Sequence, residues 1–414
     1  MLILFVSLLF LATAFGLWLE TRQMAFVARH RDQVPAAFSA KISLAEHQKA
    51  CDYSRAKGWL AMLSEVIGTG FTLLLGYAGG IALLYQMITP LAGTGYLGTL
   101  MLLATFGLIF GLIELPMDLY RTFGIEERFG FNKTTVGTFI LDKIKALALT
   151  AVIGSALVFV IDFAMRRSGA YWWLWAWAIW AAFNVIAIFA MKFVAPLFNK
   201  YEPLEASMLR DRLEAILAKC GFKSNGVFKV DGSKRSTHAN AYFTGFGAVK
   251  RIVLYDTLID KLDADEIEAV IAHELGHFRH GHIRKRFALL FVTSFVLLAI
   301  LGWLAQQDWF FALFQMSHAE FQAMPMIALV LFMMLSASFS GWFSAIFNHF
   351  SRKDEFEADA FAAENSAKAK LASALVKLQR DNAAVLTPDP IYSAVYHSHP
   401  TVAQRIDRLA ALPA

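Results

Sequence analysis

The chain has 414 residues, of which 57% are hydrophobic and only 17% charged, with a formal net charge of +5 and a mean hydropathy of +0.50. So much apolar surface excludes a disordered chain, and two cysteines exclude a disulfide-stapled scaffold. Soluble domains carry nearer a quarter charged residues, so the surplus apolar side chains must face lipid or a very large core.

Their clustering favours lipid. A bilayer span needs roughly 20 mostly apolar residues, and Leu2 to Leu19 supplies such a run without a charge. Val66 to Ile113 is uncharged as well, interrupted at Thr89-Pro90 and Gly93-Thr94-Gly95, which reads as two spans joined by a tight loop. A fourth span is expected from about Ala146 to Met165, with Asp162 inside it. A fifth runs from the Tyr171-Trp172-Trp173 cluster to near Pro196, a sixth over about Phe287 to Ala305 and a seventh over about Met326 to Phe350. These stretches are apolar all round, whereas a soluble helix keeps a polar face. Ala12-Thr13-Ala14 resembles a signal-peptidase site, but no basic segment precedes the apolar run, so the first span is expected to be an uncleaved anchor.

Basic residues alternate between loops. Residues 20–57 hold seven, the loop before span 4 holds Arg121, Arg128, Lys133, Lys143 and Lys145, and residues 306–324 hold none. The positive-inside rule then places the N-terminus outside and the C-terminus inside; the Arg166-Arg167 pair is the one dissent. Basic loops beside anionic lipid account for the net charge without a nucleic-acid partner. Cys51 and Cys220 are expected as free thiols on the reducing side. Asp162, Asn184 and Glu65, as polar groups at membrane depth, are expected to face an aqueous interior, although Glu65 near a span end would equally well snorkel.

Two polar stretches remain, 199–286 and 351–414. The domain organisation follows: spans 1–5 in 1–198, a first polar segment in 199–286, spans 6–7 in 287–350 and a C-terminal segment in 351–414. In the first polar stretch, Met208–Cys220 has helical periodicity, and Val227–Val230, Asn240–Gly245 and Arg251–Tyr255 read as strands. Asp263-Ala-Asp-Glu266 has capping-box spacing and opens a helix that carries AVIAHELGHFRHGH. His273 and His277 lie four apart, so their imidazoles share a helix face and can hold one metal ion, with Glu274 beside them as a general base. A catalytic zinc site wants three protein ligands and an open position. His280 and His282 follow too closely on the same helix to close the site and read as polar residues near the membrane surface. SRKDEFEADAFA after span 7 offers Glu355 as a third ligand and Asp359, one turn on, to orient a histidine. Glu357 projects to the opposite side. The same carboxylates would also suit the exterior of a charged helix, and spacing alone does not choose.

HELGH, EFEADAFA and the closing SHPTVAQRI, together with IEERFGFNKTT (125–135), LFNKYEPL (197–204), NAYFTGFG (240–247) and the Lys41–Lys57 stretch, resemble the type I CAAX prenyl protease family, integral-membrane HExxH zinc metalloendopeptidases. The resemblance runs over nearly the whole chain. It implies an α-helical polytopic membrane protein whose seven transmembrane helices enclose a water-filled chamber, with a small α+β zinc-protease domain on the cytoplasmic side. It implies one zinc ion on His273, His277 and Glu355, Glu274 as the catalytic base, and Asp359 in support of a ligand. His399 and Arg405 would stabilise the oxyanion or grip substrate; taken alone, the one is a loop histidine and the other a solvated helix charge. Asn240, Ala241, Tyr242 and Phe243 would receive an extended peptide along a strand edge, where the residues alone would equally suit a buried hairpin. The implied partners are the bilayer and a peptide or protein substrate, prenylated in the family, with the protein acting as a monomer. The alternative is a quality-control role like that of the HtpX heat-shock proteases, on substrates without a prenyl group; those proteins are shorter.

Overall fold

The computed structural model describes residues 1–222, 225–244 and 251–413. Helices dominate it. α1 (Leu2–Arg29) and α2 (Leu44–Phe71) form an antiparallel pair, and α2 runs on through a π-helical turn to Tyr77. A short α3 (Gly80–Ala92) leads to α4 (Tyr96–Leu119), α5 (Val136–Arg167) and α6 (Trp172–Val194). The polar segment contributes β1 (Tyr201–Pro203), α7 (Met208–Lys219), β2 (Val227–Val230), β3 (Ala241–Thr244), β4 (Arg251–Tyr255), α8 (Asp256–Lys261) and α9 (Ala264–Arg279). After α10 (His282–Leu304) come two short helices, α11 (Asp308–Ala312) and α12 (His318–Ala323), then α13 (Ile327–Ser336) and the long α14 (Ser340–Asn365). α15 (Lys368–Asp381), α16 (Pro390–Tyr396) and α17 (Val402–Ala411) close the chain.

Among the described residues, six helical segments are long and apolar enough to cross a membrane, at Leu2–Arg29, Leu44–Tyr77, Tyr96–Glu126, Val136–Arg167, Gly169–Leu197 and His282–Leu304. α13 and α14 would make a seventh if the pair, bent by 75°, is one broken span. The second helix differs from its sequence-based expectation: it begins at Leu44 instead of Val66, so Lys49, Arg55 and Lys57 lie on a helix and the loop shrinks to 30–43. Ser43 starts it with a capping box, accepting from the Glu46 amide while Glu46 accepts from the Ser43 amide at 2.7 Å. Hydropathy missed this start because a helix mixing polar and apolar residues has no apolar run to count. The expected tight loop after Thr89-Pro90 is present at Gly93, but α3 before it has only 13 residues, about 20 Å at 1.5 Å per residue. That is too short to span a roughly 30 Å hydrocarbon layer. Gly79, at φ +87°, makes the break that separates α3 from α2.

Asp162 is also placed otherwise than expected. It is buried and binds Arg166 at 2.7 Å, one turn along α5. Arg166 in turn donates to the carbonyls of Ala323 and Thr94. The cation that dissented from the loop-charge pattern is thus neutralised locally and ties loops together. Asn184 bonds back to the Trp180 carbonyl on its own helix.

The four strands form one sheet in the order β1-β2-β4-β3, with β2 and β4 parallel and the outer pairs antiparallel. β2 and β4 match the sequence reading residue for residue. β1 was not anticipated, since three residues carry no periodicity. β3 begins one residue after Asn240, while Gly245, the far end of the expected strand, and Phe246-Gly247 lie outside the described residues. The sheet, α7, α9, α15 and α17 share one hydrophobic core built around Leu213, Ile252, Leu254, Ile271 and Leu371. Residues from both polar stretches are therefore required to bury it, and β3 is left on the rim.

Candidate metal centre

α9 carries the HExxH sequence. Asp263 accepts from the Glu266 amide at 2.9 Å and Glu266 accepts from the Asp263 amide at 3.0 Å, the reciprocal cap expected from the sequence. Such a cap fixes where the helix starts, and with it which face His273 and His277 share. α9 packs on α14 with almost no separation. A Cβ built on Gly276 would stand 2.8 Å from Ala358 Cα and 3.0 Å from its carbonyl oxygen. Only a residue without a side chain permits that approach.

The contact brings Glu355 to both histidines. Its Oε2 lies 3.4 Å from His273 Nε2 and its Oε1 3.2 Å from His277 Nε2, while the two Nε2 atoms are 3.3 Å apart. Three donor atoms of imidazole and carboxylate type thus converge within 4.8 Å of one another. Glu355 is almost fully buried, and its Oε2 makes no hydrogen bond. A buried carboxylate oxygen with no hydrogen bond is costly unless a cation meets it, and Arg405, at 3.7 Å, is already committed elsewhere. Two imidazoles and one carboxylate are the donor set of a catalytic zinc site with one position left open. The residues present fit such an ion.

Asp359 accepts two hydrogen bonds from Arg405, at 2.8 and 2.6 Å, and its Oδ1 stands 2.9 Å from His273 Nδ1. Burial opposes charge on His273, and the contacts with Asp359 and Glu355 overcome it, holding its pKa up at about 8. Glu274 also lines the site but makes no hydrogen bond or ion pair with a described residue, and burial pushes its carboxyl above the usual range. Arg405 is buried, so it is not a solvated helix charge. It sits on α17, whose start is fixed by a Thr401–Gln404 capping box.

His399 reaches the site from the segment between α16 and α17, with Nε2 3.3 Å from Glu355 Oε1 and its side chain 62% exposed. Two residues of α14 hold the last turn of α16 and the start of that segment. Arg352 donates to the carbonyls of Ala394 and His397, and Asn348 to that of Val395. Asn240 and Ala241 line the same cavity, of about 740 Å³, as Glu274, His273, His277, Glu355, His399 and Arg405. Tyr242 bonds Tyr201 at 3.0 Å across the sheet, and Phe243 packs on Phe222; neither is among the residues that line the cavity.

His282, expected as a polar residue near the membrane surface on the same helix as His277, instead begins the next helix, α10, and is buried. Gly281, at φ +68°, turns the chain between α9 and α10 so that His282 Nδ1 comes within 3.0 Å of His277 Nδ1. Its Nε2 meets Glu357 at 3.1 Å, which explains what Glu357 does on the side away from Glu355. The Gly between two histidines was the only available signal, because a left-handed residue is what lets the chain fold back.

The sequence is matched by the CAAX prenyl protease N-terminal model, described as five membrane helices, over residues 23–200 and by the Peptidase family M48 model over residues 203–412. It is 34% identical to the CAAX prenyl protease 1 homolog of Arabidopsis thaliana, across 95% of this chain and 93% of that protein. It is 30% identical to the human CAAX prenyl protease 1 homolog, across 87% and 84%. Among solved structures, that of S. mikatae Ste24p superposes with a TM-score of 0.90 at 29% identity, covering 99% of this chain and 98% of that one. On these matches the chain belongs to the CAAX prenyl protease 1 family of M48 metallopeptidases, and it is an integral membrane metallopeptidase.

Proposed function

We propose that the protein is a zinc endopeptidase that cuts near the C-terminus of prenylated CAAX-type peptides. The observation that carries the proposal is the meeting of His273, His277 and Glu355 on the wall of a cavity that also exposes the free carboxylate of Glu274 and the start of an edge strand. The relatives' names, CAAX prenyl protease 1, support the substrate class.

Zinc, when bound by these three side chains, would polarise the scissile carbonyl and lower the pKa of its water. The remaining steps belong to this chain. Among the described residues β3 pairs only with β4 and ends the sheet, so an extended peptide can add as a further strand, entering past Asn240 and Ala241. Glu274, without a competing partner, takes the proton of the attacking water and passes it to the leaving nitrogen. His399 donates to the oxygen on which negative charge develops, a contribution on the order of 3 kcal/mol for one good donor. Arg405 holds Asp359 in place and so fixes the ring of His273.

A second cavity of about 700 Å³ shares Lys57 and Ala61 with the first and is walled by Leu60, Phe71, Phe106, Phe110 and Met333. Together the two cavities support an interior chamber among the membrane helices, with the metal at one end. Loop charges support a cytoplasmic metal site with the N-terminus outside. We further propose the division into 1–198, 199–286, 287–350 and 351–414 given above, and action as a monomer, because every group used lies on one chain.

The deciding experiment compares one peptide with and without a farnesyl group, using wild type and Glu274→Ala. The wild type is expected to cleave the farnesylated peptide faster. Glu274→Ala should keep near-stoichiometric zinc while losing cleavage by about 10²–10⁴-fold. Equal rates on the two peptides would remove prenylation from the substrate class, and cleavage surviving Glu274→Ala would sink the mechanism.

A further inference from the structure

Among the described residues, two basic side chains of the Lys/Arg type line the catalytic cavity, Lys57 and Arg405. Arg405 is engaged by Asp359 through two hydrogen bonds. The second cavity is lined by Lys57 and Arg121, and Arg121 donates to Asp118 at 3.0 Å. Lys57 alone makes no hydrogen bond or ion pair with a described residue. Its ammonium rests on the ring of Tyr53, 4.0 Å from the centroid.

The support beneath it is elaborate. Tyr53 donates to Glu126 Oε1, and Glu126 Oε2 meets His238 Nε2 at 3.4 Å, so both oxygens of this acid are occupied. His238 Nδ1 faces Asn382 Oδ1 at 3.3 Å, which also accepts from the Ala239 amide at 3.2 Å. The chain of contacts that seats Lys57 therefore ends two residues before β3, the strand edge assigned to substrate. Four described carboxylates line the two cavities, Glu20, Glu274, Glu355 and Glu65, and none forms an ion pair with Lys57: Glu20 is bonded by Tyr392 at 2.7 Å, and Glu355 lies against the histidines. A cation held on an aromatic face, at the boundary between a polar catalytic cavity and an apolar one, is poised for an anion brought in by the ligand.

We infer that Lys57 receives the C-terminal carboxylate of the peptide substrate and so determines specificity for cleavage close to a free C-terminus. The inference rests on the peptidase reading above. A peptide laid along β3 would be anchored at its terminus by one charge-assisted contact, which favours cleavage of a bond a few residues upstream, beside Glu274. A longer or blocked chain lacks that anchor.

The test uses two peptides identical except for a free carboxylate or an amide at the C-terminus, with kcat/KM measured for wild type, Lys57→Gln and Lys57→Arg in the same membranes. The wild type should prefer the free acid by about tenfold or more, the loss expected when a charged hydrogen bond is removed. Lys57→Gln should bring the ratio to within about twofold, and Lys57→Arg should retain most of it. Because both peptides are measured on one preparation, misfolding lowers both rates and leaves the ratio unchanged; an inactive Lys57→Gln leaves the wild-type and Lys57→Arg ratios to decide. A wild-type ratio near one, as expected if Lys57 only balances Glu126 or holds a lipid phosphate, overturns the proposal. So does a preference that persists undiminished in Lys57→Gln. Cleavage of neither peptide by the wild type would instead overturn the peptidase reading.

Discussion

Glu355 and Asp359 lie one helical turn apart on α14 and are used differently. Glu355 faces the Nε2 atoms of both histidines, whereas Asp359 faces only the Nδ1 of His273 and is locked by Arg405. Their substitutions should separate accordingly. Glu355→Ala removes one of three ligands, so metal content after dialysis should fall well below stoichiometric. Asp359→Ala leaves all three ligands and should weaken metal affinity by roughly 10–100-fold, the range for partners that orient a ligand. A chelator competition titration reads both. His282, which supports His277 from the other side, should behave like Asp359 when changed to Ala. Helical spacing is enough to place His273 and His277 on one face of α9 with Glu274 beside them. Spacing does not choose a role for Glu355, and it does not foresee that His282 is buried against His277. In both cases the deciding partner comes from another helix.

Among the elements, the α9–α14 contact sets the site. Gly276→Ala would place a methyl carbon 2.8 Å from Ala358 Cα and 3.0 Å from a backbone oxygen, and backbone cannot swing aside as a flexible side chain can. The helices must separate, at a cost of about 1–3 kcal/mol for overpacking. Thermal unfolding should therefore shift down, and zinc retention should fall with it because Glu355 rides on α14. The edge strand offers a second check at this scale. If peptides add along β3, a peptide with N-methylated backbone amides at alternate positions should inhibit or be cleaved far less well than its parent, since main-chain bonds carry such recognition.

In the whole molecule, the C-terminal segment is fastened to the first helix. Asp389 accepts from Arg22 at 2.9 Å and its amide donates to Gln23 Oε1 at 2.7 Å, while Tyr392 donates to Glu20. The span nearest the N-terminus thus helps hold the segment that brings His399 to the metal centre. Arg22→Ala with Gln23→Ala should lower kcat more than zinc content. Labelling of single cysteines placed in 306–326 and near 410 from either side of sealed vesicles checks the proposed orientation; label reaching both from one side would contradict it.

The sequence by itself determined the membrane class, the helix that carries HExxH and its capped start, the strands β2 and β4, and the identity of most side chains that meet at the site. Each of these follows from local periodicity, capping chemistry or a count of apolar residues. Only the tertiary structure decided that Glu355 closes the histidine pair, that Arg405 is buried on Asp359, that His282 turns inward and that α2 begins inside a supposed loop. These depend on which helices touch: α9 with α14, α14 with the segment before α17, and α1 with α16. Contacts between elements distant along the chain leave no period in the sequence. They are set by close packing, such as Gly276 against Ala358, and by the requirement that every buried charge find a partner.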